Sequence, residues 1–255
     1  MRLTVIGSGT TVPHPRRTSS GYWLETGDGN LLIDCSAGVQ FRLAAMGIDW
    51  SAVDAIWISH FHLDHCGGLG PYLQSLKVAP ETQKREAPLR IYGPVGFEAW
   101  FARMNAVNDY HLLNQPFPMG VYEMPSVEPF HILPGVEALA VSTPHTDESH
   151  AIYIRSRDGE KVVYSSDTGP FETLATLGGN ADLFILECSY VRNKTTDKHL
   201  ELAEAMHLIR KAQPRRAMLT HLYAEWDLVN FYEEVLKFDP PCEVVEATDG
   251  LVINV

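Results

Sequence analysis

Apolar residues in this chain come in short runs, each cut by glycine, proline or charged positions. Runs at 3–6, 21–25 and 30–34 predict strands, the last two joined as a hairpin through Gly27-Asp28-Gly29-Asn30. Residues 39–46 predict a helix that Gly47 stops, 53–59 an apolar β-prone strand, and 69–76 the next helix. A polar loop over 78–88 leads to a strand at 89–92 and a helix over 95–105. Residues 108–120, with Tyr110, His111, Phe117 and two prolines, fit neither period and read as an irregular segment suited to part of a lid.

Strands resume over 120–123, 129–133 and 136–142, then over 151–155 and 161–165 about a turn at Arg157-Asp158-Gly159. The last third predicts a helix over 170–177, a strand over 181–187 and an amphipathic helix over 200–212. Leu202, Met206 and Ile209 share one face of that helix. A strand at 216–220, a helix over 228–238 and a closing pair of strands within 243–255 complete the chain. Grouped strands with helices interspersed in both halves predict two packed sheets with helices outside. No Pro/Gly/Ser-rich linker interrupts the pattern, so residues 1–255 read as a single domain.

At 255 residues and 45% hydrophobic content the chain can bury a sizeable core. No apolar run approaches the roughly 20 residues that span a bilayer. Residues 1–7 enter a strand pattern rather than a signal peptide, which points to the cytoplasm and away from membranes. Cys35, Cys66, Cys188 and Cys242 contain no Cys-x-x-Cys pair and read as reduced thiols. The first three follow strand ends close to the candidate site, where they read as small buried fillers rather than ligands. Lys and Arg number 20 against 32 Asp and Glu, for a formal charge of −12. Nucleic-acid surfaces are normally basic, so long polyanions are disfavoured as partners. A small phosphate ester is not, because two divalent ions would make their own cleft locally positive.

The candidate chemistry is concentrated at His60-Phe61-His62-Leu63-Asp64-His65. Three imidazoles and a carboxylate in six residues, delivered by a buried strand into a turn that feeds a helix, suit zinc and related metals. Three more residues share that setting, a polar group just beyond an apolar strand: His145, Asp167 and His221. His150 competes with His145 but opens a strand, so His145 is preferred.

This pattern resembles the metallo-β-lactamase fold superfamily over nearly the whole chain. Gly7-Ser8-Gly9-Thr10 with Pro13 and Arg16, Leu32-Ile33-Asp34-Cys35, Tyr164-Ser165-Ser166-Asp167-Thr168 and Leu219-Thr220-His221-Leu222 are similar to its ribonuclease Z-like branch. That branch holds tRNA-processing nucleases and small-molecule phosphodiesterases. The resemblance implies an α/β (α+β) fold, a four-layer αββα sandwich with the site along one edge. It also implies two divalent metal ions, zinc first, with manganese or iron also accommodated. His60, His62 and His145 would hold one ion; Asp64, His65 and His221 would hold the other; Asp167 would bridge.

His199 stands where the resemblance implies a histidine that assists the leaving group of a phosphodiester. Glu187 is expected to hydrogen-bond it, and Asp34 to orient a ligand imidazole. Asp64 is expected to accept a proton from the nucleophile as well as bind metal. Arg192, Lys194 and Lys198 make the preceding loop cationic, suited to phosphate. The nuclease's tRNA-gripping arm, inserted between the third histidine and the bridging aspartate, has no counterpart in residues 146–166. Leu63 stands where those nucleases have glycine and crowds the metal entrance.

The expected activity is a dinuclear metal-dependent hydrolase, a phosphodiesterase cleaving a small phosphate ester through a metal-bridging hydroxide. Lactone, thioester or other carboxyl-ester hydrolysis on the same metals is the alternative. A tRNA nuclease and a non-catalytic scaffold rank lower, and a homodimer is compatible with the resemblance.

Overall fold

The protein is described by a computed structural model covering residues 1–124 and 127–255. Among the described residues, fourteen strands form two seven-stranded sheets. The first sheet runs, edge to edge, β14 (Val252–Asn254), β1 (Arg2–Gly7), β2 (Gly21–Thr26), β3 (Gly29–Ile33), β4 (Ala55–Trp57), β5 (Leu89–Gly93) and β6 (Met119–Glu123). The second runs β13 (Glu243–Glu246), β12 (Arg216–Thr220), β11 (Leu183–Glu187), β10 (Lys161–Tyr164), β9 (His150–Arg155), β8 (Val136–Ser142) and β7 (Phe130–Leu133). In each sheet one half is antiparallel and the other parallel: β3 to β6 in the first, β10 to β13 in the second.

Side-chain alternation turns these sheets into layers. Leu31 and Ile33 of β3 meet Ile152, Val162, Ile185 and Met218 between the sheets. Leu32 and Ile56 point the other way, onto α1 (Val39–Ala45), α3 (Leu69–Val78) and α4 (Phe97–Ala106). On the second sheet Val163, Phe184 and Leu186 pack against α5 (Glu172–Leu177), α6 (Leu202–Ala212) and α7 (Phe231–Leu236). β11 is buried along its whole length, as a central strand covered on both faces must be. The result is the αββα sandwich.

Three expectations need correction. The closing strands do not pair with each other: β13 joins β12 and β14 joins β1, so the C-terminus stitches the two sheets together. The crossing turns at Gly250, whose φ of 92° favours glycine. The helix read over 228–238 is a 3₁₀ turn at Ala224–Leu228 followed by α7. Asn230 resets the start by accepting from the Tyr232 and Glu233 amides. Within the histidine cluster a one-turn helix, α2 (Leu63–Cys66), precedes α3.

Every residue singled out for chemistry leaves the same edge of the sandwich. Asp34 follows β3, His60 follows β4, His145 follows β8, Asp167 follows β10, Glu187 ends β11 and His221 follows β12. The C-terminal ends of parallel strands gather ligands in open α/β sheets, and here two sheets contribute. Among the described residues no helix is long and apolar enough to cross a membrane.

Candidate metal centre

The seven predicted ligands converge into two overlapping groups: His60, His62, His145 and Asp167, then Asp64, His65, Asp167 and His221. In the first, His62 Nδ1 lies 3.1 Å from both His60 Nε2 and His145 Nε2. Asp167 Oδ2 is 3.6 Å from His145 Nε2 and 3.9 Å from His60 Nε2. In the second, Asp167 Oδ1 is 3.2 Å from His65 Nε2 and 3.3 Å from His221 Nε2. Asp64 Oδ2 closes that group at 3.6 Å from His221 Nε2 and 3.8 Å from His65 Nε2. One carboxylate thus presents a different oxygen to each half.

The tautomers follow from what holds the rings. Asp34, fully buried, accepts from the Ser59 amide (2.9 Å), the Ser59 hydroxyl (3.0 Å) and the Tyr164 hydroxyl (3.0 Å). His65 Nδ1 donates to the same carboxylate at 2.6 Å, which leaves Nε2 as a lone pair. Ser59 Oγ, its proton given to Asp34, accepts from His60 Nδ1 at 2.9 Å. A matching relay serves the other sheet: Glu187 accepts from Ser189 Oγ (2.9 Å), which accepts from His221 Nδ1 (3.0 Å). His145 Nδ1 donates to the Lys198 carbonyl at 3.0 Å. Four Nε2 lone pairs therefore face the centre.

Lone pairs and carboxylate oxygens repel unless a cation lies between them. His65 Nε2, Asp167 Oδ1 and His221 Nε2 are buried without any hydrogen-bond partner. Without a cation a proton takes that place: burial works against charge on His65, yet Asp167 and Asp34 outweigh it and hold its pKa well above the ordinary value, so ligation at Nε2 requires that proton to leave. Burial would likewise raise Asp167, but His221 and His65 hold its carboxyl well below the usual range. Burial pushes His60 and His145 down, so both favour the neutral form that ligates metal. A tetrahedral ion with bonds of 2.0–2.2 Å needs donors about 3.3–3.6 Å apart. The observed spacings bracket that range, and the all-nitrogen-and-oxygen set suits zinc, manganese or iron. The residues present fit two divalent ions.

The backbone is strained to achieve this. Asp34, Ser166 and His221 all have φ between 54° and 58°, a left-handed conformation unusual for non-glycine residues. Gly68 permits a close backbone approach here: a Cβ there would lie 2.0 Å from the Ser36 carbonyl oxygen, two residues after Asp34.

His199 stands at the rim. Its Nδ1 donates to Glu187 Oε1 at 2.8 Å, and its ring stacks on His221 at 5.3 Å. Burial works against protonation, but the hydrogen bond and charge of Glu187 raise its pKa above the ordinary value. Five donors occupy the Glu187 carboxylate: His199, the Thr168, Ser189 and Leu200 amides, and the Ser189 hydroxyl. The open cleft over the cluster, about 320 Å³, is lined by His62, Leu63, Asp64, Asp167, His199 and His221, with Thr11 and Tyr223 at its edge.

Other polar residues and thiols near the centre lie outside it. His150 is spent on the Glu148 carbonyl and Ser142 Oγ, away from the cluster. The cationic loop is largely neutralised, Arg192 pairing with Glu234 at 2.9 Å and Lys194 with Glu204 at 2.7 Å. Cys35, Cys66 and Cys188 are buried, free and outside both ligand groups. Sequence reasoning missed Ser59, Ser189 and Tyr164. The two serines carried a faint signal, each lying within two residues of a carboxylate or histidine at a strand end.

The profile of the beta-lactamase superfamily domain matches residues 29–222, a span that takes in all seven residues of the two groups. The chain belongs to the metallo-β-lactamase superfamily, in its ribonuclease Z-like branch, and is a metal-dependent hydrolase. It is 28% identical to "Probable metallo-hydrolase YhfI" of Bacillus subtilis over 228 residues, 87% of each chain. The crystal structure of YhfI superposes with a TM-score of 0.79 over 99% of both chains, at 25% identity. Ribonuclease Z of Mycobacterium bovis is 30% identical over 195 residues, 72% of this chain and 69% of its own. Human tRNase Z, short form, has the same fold, with a TM-score of 0.80 at 22% identity over 100% of this chain and 99% of that one.

Proposed function

We propose that the protein is a dinuclear phosphodiesterase acting on a small phosphate ester. His60, His62 and His145 would hold one ion and Asp64, His65 and His221 the other, with Asp167 shared between them. Zinc is the first candidate, manganese or iron the alternatives. Ions bound there would supply an activated water and neutralise charge developing on the phosphoryl oxygens.

The observation that carries this reading is the Glu187–His199 pair beside His221. With Nδ1 fixed on Glu187, a protonated His199 keeps Nε2 for an atom in the cleft. An alkoxide or aryloxide leaving phosphorus needs a proton at that moment, and a positioned acid supplies about 10²–10⁴-fold. Burial would raise the Asp64 carboxyl, but His221 and His65 beside it hold it below the usual range, so it stays ionised and can take a proton from the nucleophile. Two observations favour a small substrate over tRNA. The stretch between His145 and Asp167 is spent on β9, β10 and their turn, and the net charge is −12.

Elemental analysis of metal-replete protein, with parallel assays on bis(4-nitrophenyl) phosphate, a lactone panel and a precursor tRNA, tests the reading. Two ions per chain and phosphodiester turnover are expected. Fewer than two ions, or lactone cleavage without phosphodiester cleavage, would overturn it.

A further inference from the structure

Beside the metal cleft lies a cavity twice its size, about 660 Å³. Its walls include Leu63, Gly70, Trp100, Met104, Tyr110 and Leu112, and no charged side chain among the described residues lines it. Leu63 borders both spaces. It is 72% exposed although apolar, one residue from the Asp64 carboxylate that faces the ligand cluster. One wall is a stack of aromatic rings: Trp100 stacks on Phe61 at 5.6 Å and on Phe97 at 5.8 Å, and Phe61 lies between His60 and His62 in sequence. The segment bearing Tyr110 and Leu112 is tied down too. Asn105 Oδ1 accepts from the Leu112 amide at 2.6 Å, and Lys77 Nζ donates to the His111 carbonyl at 3.2 Å.

A preformed, uncharged cavity of several hundred Å³ is the size and character of a small-molecule subsite. Opening next to the centre where an ester bond would break, it is suited to part of the same molecule. Water filling it gains little, so an apolar group displacing that water is favoured.

We propose that this cavity seats one ester group of the substrate, and that the protein selects phosphodiesters bearing a bulky uncharged aryl or branched-alkyl group. This rests on the phosphodiesterase reading. The reaction is hydrolysis without redox change: one P–O ester bond breaks, the hydroxyl of water joins phosphorus, and a proton leaves with the departing oxygen.

Calorimetric binding of two phosphonates to the metal-loaded protein separates the cavity from the chemistry. 1-Naphthylmethylphosphonate is expected to bind about 10–100-fold more tightly than methylphosphonate, the discrimination apolar pockets typically provide. Gly70→Leu, which extends a side chain from α3 into the cavity, should abolish that preference and leave methylphosphonate binding unchanged. Gly70→Ala is the milder variant. Its Cβ meets Met104 Sδ at 3.4 Å, which α3 tolerates and its helix propensity favours, and a several-fold loss of preference is expected. Equal binding of the two phosphonates, or a preference unchanged in both variants, would overturn the proposal. Failure to cleave bis(4-nitrophenyl) phosphate would instead overturn the reading beneath it.

Discussion

Asp167 Oδ1 and His221 Nε2 face each other at 3.3 Å, both buried and neither hydrogen-bonded. Two acceptors in such contact repel, and a cation between them turns the repulsion into ligation. Metal removal is therefore predicted to destabilise the fold. Each ion at 100 times its Kd adds about 2.7 kcal/mol to a native state that alone binds it. For a chain of this length that is a rise of about 5–10 °C in Tm per ion over the chelated protein. Differential scanning fluorimetry with and without EDTA checks it. Asp167→Asn, which keeps the shape but loses the shared charge, should blunt the rise and bind fewer than two ions.

Asp34 is predicted to control affinity without touching metal. It fixes His65 directly and His60 through Ser59. Outer carboxylates of this kind are worth about 10–100-fold in metal affinity. Asp34→Ala should show that loss in competition with a chromogenic chelator. Tyr164→Phe, which removes one of the four donors to Asp34, should show a fraction of it.

His199 predicts the alkaline side of the pH profile. Its folded pKa is raised by Glu187 against the opposing effect of burial, and the acid it supplies is its protonated form. Activity is thus present below that pKa and lost as pH rises through it. His199→Ala should keep both ions, lose about 10²–10⁴-fold in kcat/KM and flatten the alkaline limb. Glu187→Gln should move the limb to lower pH. Loss of metal along with activity in His199→Ala would assign the histidine to the ligand shell instead.

The parts of this architecture legible in sequence were those with a local signal. Apolar runs marked twelve of the strands closely enough to put His60, His145, Asp167 and His221 just past strand ends. The convergence of those ends depends on the sheet order, which no local pattern encodes. The separation of β13 from β14 was illegible because each is a short apolar run whose partner is set by sheet edges far away in sequence. The serine relays were hidden for a related reason: Ser59 and Ser189 become informative only once Asp34 and Glu187 are within hydrogen-bond reach. The charge on Arg192 and Lys194 misled, because Glu234 and Glu204 arrive from separate helices to neutralise it.

The cysteines near the site are predicted to be chemically silent. Burial pushes the Cys66 thiol up to about 12 and those of Cys35 and Cys188 well above the ordinary value. Thiolate, the reactive form, is therefore scarce at neutral pH. Iodoacetamide at pH 8 should leave all three intact in the native protein and label only the half-buried Cys242. Peptide mass spectrometry reads the outcome, and alkylation of Cys66 in folded, active protein would contradict it.

Gly169 holds three site loops against one another, and filling it is predicted to separate them. Its amide donates to the Pro144 carbonyl at 3.1 Å, just before His145. A Cβ there would lie 2.1 Å from the Asp197 carbonyl oxygen and 3.2 Å from that of Pro144. Both are backbone atoms, so no side-chain rotation relieves the clash. The segment at 197–199 must move outward, taking the Lys198 carbonyl from His145 Nδ1 and drawing His199 from Glu187. Overpacking of this kind costs about 1–3 kcal/mol. Gly169→Ala should therefore lower Tm, weaken metal retention at the His145 side and cut kcat more than it raises KM. Gly27→Ala, where a Cβ meets nothing within 4 Å, is the control and should stay within about 0.5 kcal/mol of the parent. If both variants behave alike, the close packing at Gly169 does not position the rim of the site.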